Sequence, residues 1–153
     1  MSETRKARLR FPNESVWQAW LGRCYEQLGD YERAAELIRK AQAMDNSPLL
    51  VGLLGHLYAV MGKPEDARRE IQRLDEISRF RYVAAPFRAF IHAGLGEIDQ
   101  AFRWLEQAYK DRSETLVFSQ SWPLKYDPIW EPLRSDPRYA ELLKKVGLDT
   151  SPK

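Results

Sequence analysis

Few side chains in this sequence are suited to covalent or metal chemistry. His56 and His92 are the two histidines and Cys24 is the one cysteine. A zinc-type site needs three or four such ligands at short spacings, and no cysteine or carboxylate pair accompanies either histidine, so no metal is expected. Cys24 stands beside Tyr25, on what the pattern makes the packed side of a helix. It reads as an inert core thiol rather than a nucleophile. Five tryptophans and seven tyrosines invite a base-stacking reading. Trp17 and Trp104 are better placed as packing between helices, and Trp122 and Trp130 as anchors of an irregular tail. The sequence has no glycine-rich phosphate loop, no serine elbow and no carboxylate pair that spacing would bring together. The expectation is a protein without catalytic residues or a cofactor.

Charge points the same way. Twenty-four basic and twenty-two acidic residues give a net charge of +2, interleaved at helical spacing as on solvated helix faces. Nucleic-acid binding favours a one-sided basic patch, and none is expected here. The basic start (Arg5, Lys6, Arg8, Arg10) reads as a solvated helix remnant. The longest apolar run, Leu49 to Met61, is interrupted by His56 and falls short of the ~20 residues that span a bilayer. A single cysteine excludes an internal disulfide and fits a reducing compartment, most simply the cytoplasm. A chain of 153 residues is one ordinary domain and needs no covalent staple.

The elements that must carry these side chains follow from an internal repeat. Gly29, Gly62 and Gly96 lie 33 and then 34 residues apart. Five residues after each come Ala34, Ala67 and Ala101; seven before come Gly22, Gly55 and Ala89. Four before each stand Tyr25, Tyr58 and His92, and twelve after stand Ala41, Leu74 and Ala108. Small residues recurring at one period mark places where two helices cross closely. The glycines end each first helix in a left-handed cap. Asp30 and Ser47 are suited to N-caps, and Pro48 and Pro64 to first helical turns. The spacing predicts helices over 14–28, 31–44, 48–61, 64–78, 84–95 and 97–111, with Pro86 delaying the fifth. This is an all-α solenoid of about three helical hairpins spanning 14–111. Residues 1–13 form a partial preceding repeat or an arm, and 112–153 a closing segment.

The stretches LGDYERAAELIRKAQAMD and LGEIDQAFRWLEQAYKD resemble tetratricopeptide repeats, and MGKPEDARREIQRL does so more loosely. The resemblance covers about residues 12–111. It departs from the pattern in the third repeat, where Arg88 takes a place that is ordinarily apolar and His92 takes the tyrosine place. Either that repeat packs less tightly, or these two side chains face a partner. Ala7 and Pro12 match the end of a preceding second helix, so the chain reads as the end of a longer array or as a protein with a frayed start. In the closing segment Ser113 is expected to cap a short helix ended by Pro123. Asp127-Pro128 starts a single turn limited by Pro132, and Asp136-Pro137 opens an amphipathic helix over 137–146. Its apolar stripe is Tyr139, Leu142, Leu143 and Val146, suited to covering the end of a stack. DPIWEPLRSDPRYAELLKKVGL is similar to closing segments that follow such repeats in bacterial signalling proteins, behind a kinase, a cyclase or a DNA-binding domain. That likeness implies a bacterial, regulatory setting.

The family resemblance implies a concave face lined by the first helix of each repeat. On this chain the inward places are Val16, Ala19, Trp20, Arg23 and Gln27, then Leu53, His56 and Val60, then Phe87 and Phe90 with the atypical Arg88. An apolar groove with a few polar points suits a peptide or protein partner, with Trp20 and Phe90 as anchors. The competing reading is that the chain's own closing segment fills it. The carboxylate clamps known in the family need several cationic or amide side chains. The matching places hold Ala19, Arg23, Leu53, Val83 and Phe87, of which Arg23 alone qualifies, so chaperone-tail binding is not expected. Self-association through the amino-terminal end is the alternative to a peptide partner.

Overall fold

Glycine, proline and aspartate punctuate a chain whose apolar residues otherwise recur at helical spacing, and the helices begin and end where these residues stand. The computed structural model describes residues 14–111 and 127–147. They form helices α1 (Glu14–Gln27), α2 (Tyr31–Met44), α3 (Pro48–Val60), α4 (Pro64–Ser78), α5 (Ala85–Leu95) and α6 (Ile98–Lys110). A 3-10 helix, Pro128–Leu133, and α7 (Pro137–Lys145) follow. Among the described residues there is no strand. The arm 1–13 and the helix expected to start at Ser113, with Trp122, lie outside the described residues.

The three first helices end in the same way. Gly29, Gly62 and Gly96 have φ of 83°, 81° and 76°. The residue after each glycine donates its N–H five residues back, Asp30 to the Tyr25 carbonyl, Lys63 to Tyr58 and Glu97 to His92, at 2.8–2.9 Å. Each glycine N–H also donates three residues back, to the Glu26, Ala59 and Ala93 carbonyls at 3.0–3.2 Å; the left-handed residue closes this pair of hydrogen bonds, and glycine reaches it without strain. Asp30 caps α2 by accepting from the Arg33 N–H, and Ser47 caps α3 by accepting from Leu50. Pro86 sits in the first turn of α5, which starts at Ala85, one residue later than the spacing alone suggests. Pro132 holds the 3-10 helix to six residues.

The repeating small residues lie at the crossings. A methyl added to Gly22 would meet Ile38 and the Ala34 carbonyl at 3.0–3.2 Å, and one added to Gly52 would meet the Phe87 backbone at 3.0–3.2 Å. Ala34, Ala67, Ala101, Ala41 and Ala108 are fully buried. α3 is apolar all round, as a helix covered on every side must be: Leu50 through Leu57 are buried without a break. One core runs from α1 to α7, and a second cluster of Val51, Ala67, Leu74, Val83 and Ile91 fills the space beneath α4. Consecutive hairpins packed in this way are a tetratricopeptide-type all-α solenoid. α7 closes the stack as its stripe predicts. Tyr139 and Leu142 are buried in the core that holds Phe102 and Leu105. Arg138 lies over the Phe102 ring at 4.5 Å, and Lys145 pairs with Glu106 at 3.2 Å.

Candidate functional site

Burial among the inward residues is uneven. Arg23, Leu53, His56, Arg88 and Phe90 are buried, Val16, Trp20 and Phe87 are half-buried, and Gln27 and Val60 are exposed. The 3-10 helix, which lies across the face of the first helices, covers Arg23 and Phe90. The Arg23 guanidinium makes two bonds to the Asp127 carboxylate, at 2.5 and 2.8 Å. Three residues on, the Trp130 ring packs against Phe90 with centroids 5.3 Å apart, and Phe90 packs in turn against Phe87 at 5.9 Å. Asp127 also accepts from the Ile129 N–H at 2.9 Å and so starts the turn that it anchors. Phe90, expected as a partner anchor, is therefore a core residue. Ile129, Trp130 and Leu133 are buried with it. The Trp130 indole N–H has no hydrogen-bond partner among the described residues, so apolar contact holds that ring.

His56 ties the three first helices together. Its Nδ1 lies 2.9 Å from the Phe90 carbonyl oxygen on α5, which can only accept, so Nδ1 carries a proton. Its Nε2 faces Glu26 Oε2 on α1 at 3.6 Å. That oxygen also accepts from the Gln27 amide, at 3.4 Å. Both His56 and Glu26 line a cleft of about 350 Å³, with Gln27, Tyr31 and Val60 on one side and Pro128, Glu131 and Pro132 of the 3-10 helix on the other. At the other end of α1 a smaller depression, about 40 Å³, lies between Val16, Ala19, Trp20 and Leu49.

Arg88 and His92 depart from the expectation that they loosen the third repeat or face a partner. Arg88 is buried, bonded to Asp75 at 3.0 Å and laid over the Trp104 ring at 4.6 Å. His92 is buried and its Nδ1 lies 2.9 Å from Glu97, which Arg68 also holds at 3.0 Å. The Arg68 bond, and after it the His92 bond, hold the Glu97 carboxyl below its usual pKa. Each polar side chain thus replaces an apolar contact with a paired one. Cys24 is exposed rather than core, and Trp17 is exposed rather than packed between helices. The buried side of α1 is set by Ala19, Gly22, Arg23 and Glu26, which turns Trp17 and Cys24 to solvent. Sequence reasoning passed over Glu26 and placed Asp127 as the start of a turn, which it is, but not as the partner of Arg23. Glu26 had a signal, one helical turn from Arg23 on an inward face; the Asp127 pairing had none, since its partner lies 104 residues away.

Among the described residues no group of histidine, cysteine and carboxylate side chains could hold a metal ion, and no helix is long and apolar enough to cross a membrane. Neither a curated protein nor a solved structure matches the chain. Residues 17–47 match a tetratricopeptide repeat model and residues 83–107 match a second one. The second hairpin lies between these two stretches, and its first helix ends in the same glycine cap. The two matches and the shared cap geometry together support the tetratricopeptide repeat family for this chain.

Proposed function

We propose that the chain is a non-enzymatic interaction module that holds a protein or peptide partner on the face of its first helices. The observation that carries this reading is intramolecular. That face already accommodates a short stretch of polypeptide, anchored by an acidic side chain on Arg23 and an aromatic one on Phe90. The partner occupies what the 3-10 helix leaves open: the cleft bounded by Gln27, Tyr31, His56 and Val60, and the depression at Val16 and Trp20. Phe87 is half-buried beside them. Arg23, Leu53, Arg88 and Phe90 support the surface from beneath. The likeness of the closing segment to the ends of bacterial regulatory arrays supports a cytoplasmic, scaffolding setting for this binding.

Peptides selected from a displayed library against the whole chain test the site. Their affinity is expected to fall at least tenfold with Val60→Glu, which places a charge at the cleft mouth, and to stay unchanged with Lys40→Ala on the outer face of α2. Equal binding to the Val60→Glu and unsubstituted chains, with helical content intact, would reject this face as the site.

A further inference from the structure

Among the described residues, the outward side of α1 is unlike any other exposed helix face. Trp17 is 63 % exposed, Leu21 49 % and Leu28 80 %, and Cys24 is exposed between them. Their spacing is four, three and four, so they form one straight stripe of about 16 Å along the helix. Between Ser15 and Leu28 the charged residues are Arg23 and Glu26, and both are buried on the opposite side. The outer face of α1 therefore carries no charge over this length. The exposed side of α2 carries Glu32, Arg33, Glu36, Arg39 and Lys40, and that of α6 carries Asp99, Arg103 and Gln107. An apolar, charge-free stripe with heptad spacing is built for another helix.

We infer that this stripe pairs with the same stripe of a second copy, about a two-fold axis and with the two α1 helices antiparallel. Three observations select that occupant. First, the two ends of the stack differ. At the far end α7 buries Tyr139 and Leu142, and its rim carries the Arg138–Asp99 and Lys145–Glu106 pairs. Head-to-tail stacking would press the apolar stripe against that charged, closed end; head-to-head pairing joins two identical apolar faces and closes on itself. Second, the spacing is self-complementary. With the axis midway between Leu21 and Cys24, Trp17 of one copy meets Leu28 of the other, and Leu21 meets Cys24. Third, charge selects the direction. Antiparallel pairing opposes the dipoles of the two α1 helices, whereas parallel pairing would align them.

Sedimentation velocity on the 153-residue chain, from micromolar to hundreds of micromolar, reads the outcome. A concentration-dependent monomer–dimer equilibrium is expected. Leu21→Glu and Leu28→Glu, both at exposed positions, are each expected to return the sedimentation coefficient to the monomer value with unchanged circular dichroism. Maleimide labelling of Cys24 slows in proportion to the dimer fraction. Leu21→Cys forms an intermolecular disulfide with Cys24 of the second copy under mild oxidation, whereas the unsubstituted chain forms none, since antiparallel pairing offsets its two thiols. A monomer at every concentration, a dimer that survives both substitutions, species that keep growing with concentration, or a ready Cys24–Cys24 disulfide would each overturn the pairing.

Discussion

Replacing Arg23 with methionine is expected to free the 3-10 helix from the face of the first helices while leaving the hairpins folded. Both members of the Arg23–Asp127 pair are more than nine-tenths buried, and two bonds of 2.5 and 2.8 Å join them. Removing one partner of such a pair costs about 3–5 kcal/mol, because the other charge stays behind without compensation. The rest of the segment cannot absorb that loss. Burying Ile129, Trp130 and Leu133 contributes about 2 kcal/mol each, and ordering the six residues of the turn costs about 1 kcal/mol each or more. These two quantities nearly cancel, so the ion pair decides whether the segment is docked. A loss of 3–5 kcal/mol corresponds to roughly a hundredfold to a thousandfold or more in the opening equilibrium. Amide hydrogen exchange at residues 129–133 is expected to quicken by that factor in Arg23→Met, while the amides of α3 to α6 keep their protection. The double variant Arg23→Met with Asp127→Met is expected to recover part of the protection, because no buried charge remains. Unchanged exchange at 129–133 would show that the pair does not hold the segment. Loss of protection throughout α3 to α6 would show that it holds the whole stack.

Two further substitutions test the packing and the electrostatics. Gly55→Ala adds a methyl that would lie 2.5 and 2.7 Å from the buried Ile91 side chain and 3.0 Å from Glu70 Cβ. Its helix-propensity gain of about 1 kcal/mol is outweighed by overpacking of about 1–3 kcal/mol, so urea denaturation is expected to show a lower midpoint at an unchanged slope. A higher midpoint would mean that Ile91 moves aside freely. For the carboxylates, burial raises the pKa of Glu70 despite the nearby Arg73, whereas the bonds from Arg68 and His92 lower that of Glu97. The folded state therefore disfavours ionised Glu70 and favours ionised Glu97, so at neutral pH Glu70→Gln is expected to raise the melting temperature and Glu97→Gln to lower it. The Glu70→Gln gain shrinks as pH falls through the raised value and is gone below the ordinary carboxylate range. The Glu97→Gln deficit persists to lower pH and vanishes only as pH falls through that group's depressed value. Melting curves between pH 3 and 8 on the three chains decide it, and effects of the same sign for both variants would refute the assignment.

The repeat could be read from sequence because its causes are local. A glycine that must adopt positive φ fixes the end of one helix, and the next helix starts two residues later, after Asp30 in the first repeat and at Pro64 in the second. That information is complete in each thirty-residue stretch, and Gly29, Gly62 and Gly96 close their helices with the same pair of bonds. α7 was legible for the same reason, since Asp136, Pro137 and the stripe from Tyr139 to Val146 lie within a dozen residues. What occupies the inner face was not legible. Whether Phe90 meets solvent, a partner or Trp130 depends on where a segment dozens of residues downstream returns, and no spacing rule encodes that return. The same gap explains Cys24 and Trp17. Helical periodicity divides α1 into faces but does not say which of two apolar faces the hairpin buries. Gly22 decides it, because the closest approach to Ile38 must be made by the residue without a side chain. Once Gly22 faces α2 and Arg23 and Glu26 face inward, Trp17, Leu21, Cys24 and Leu28 are left pointing outward together. The exposed stripe on α1 is thus a geometric consequence of the same glycine pattern that builds the repeat.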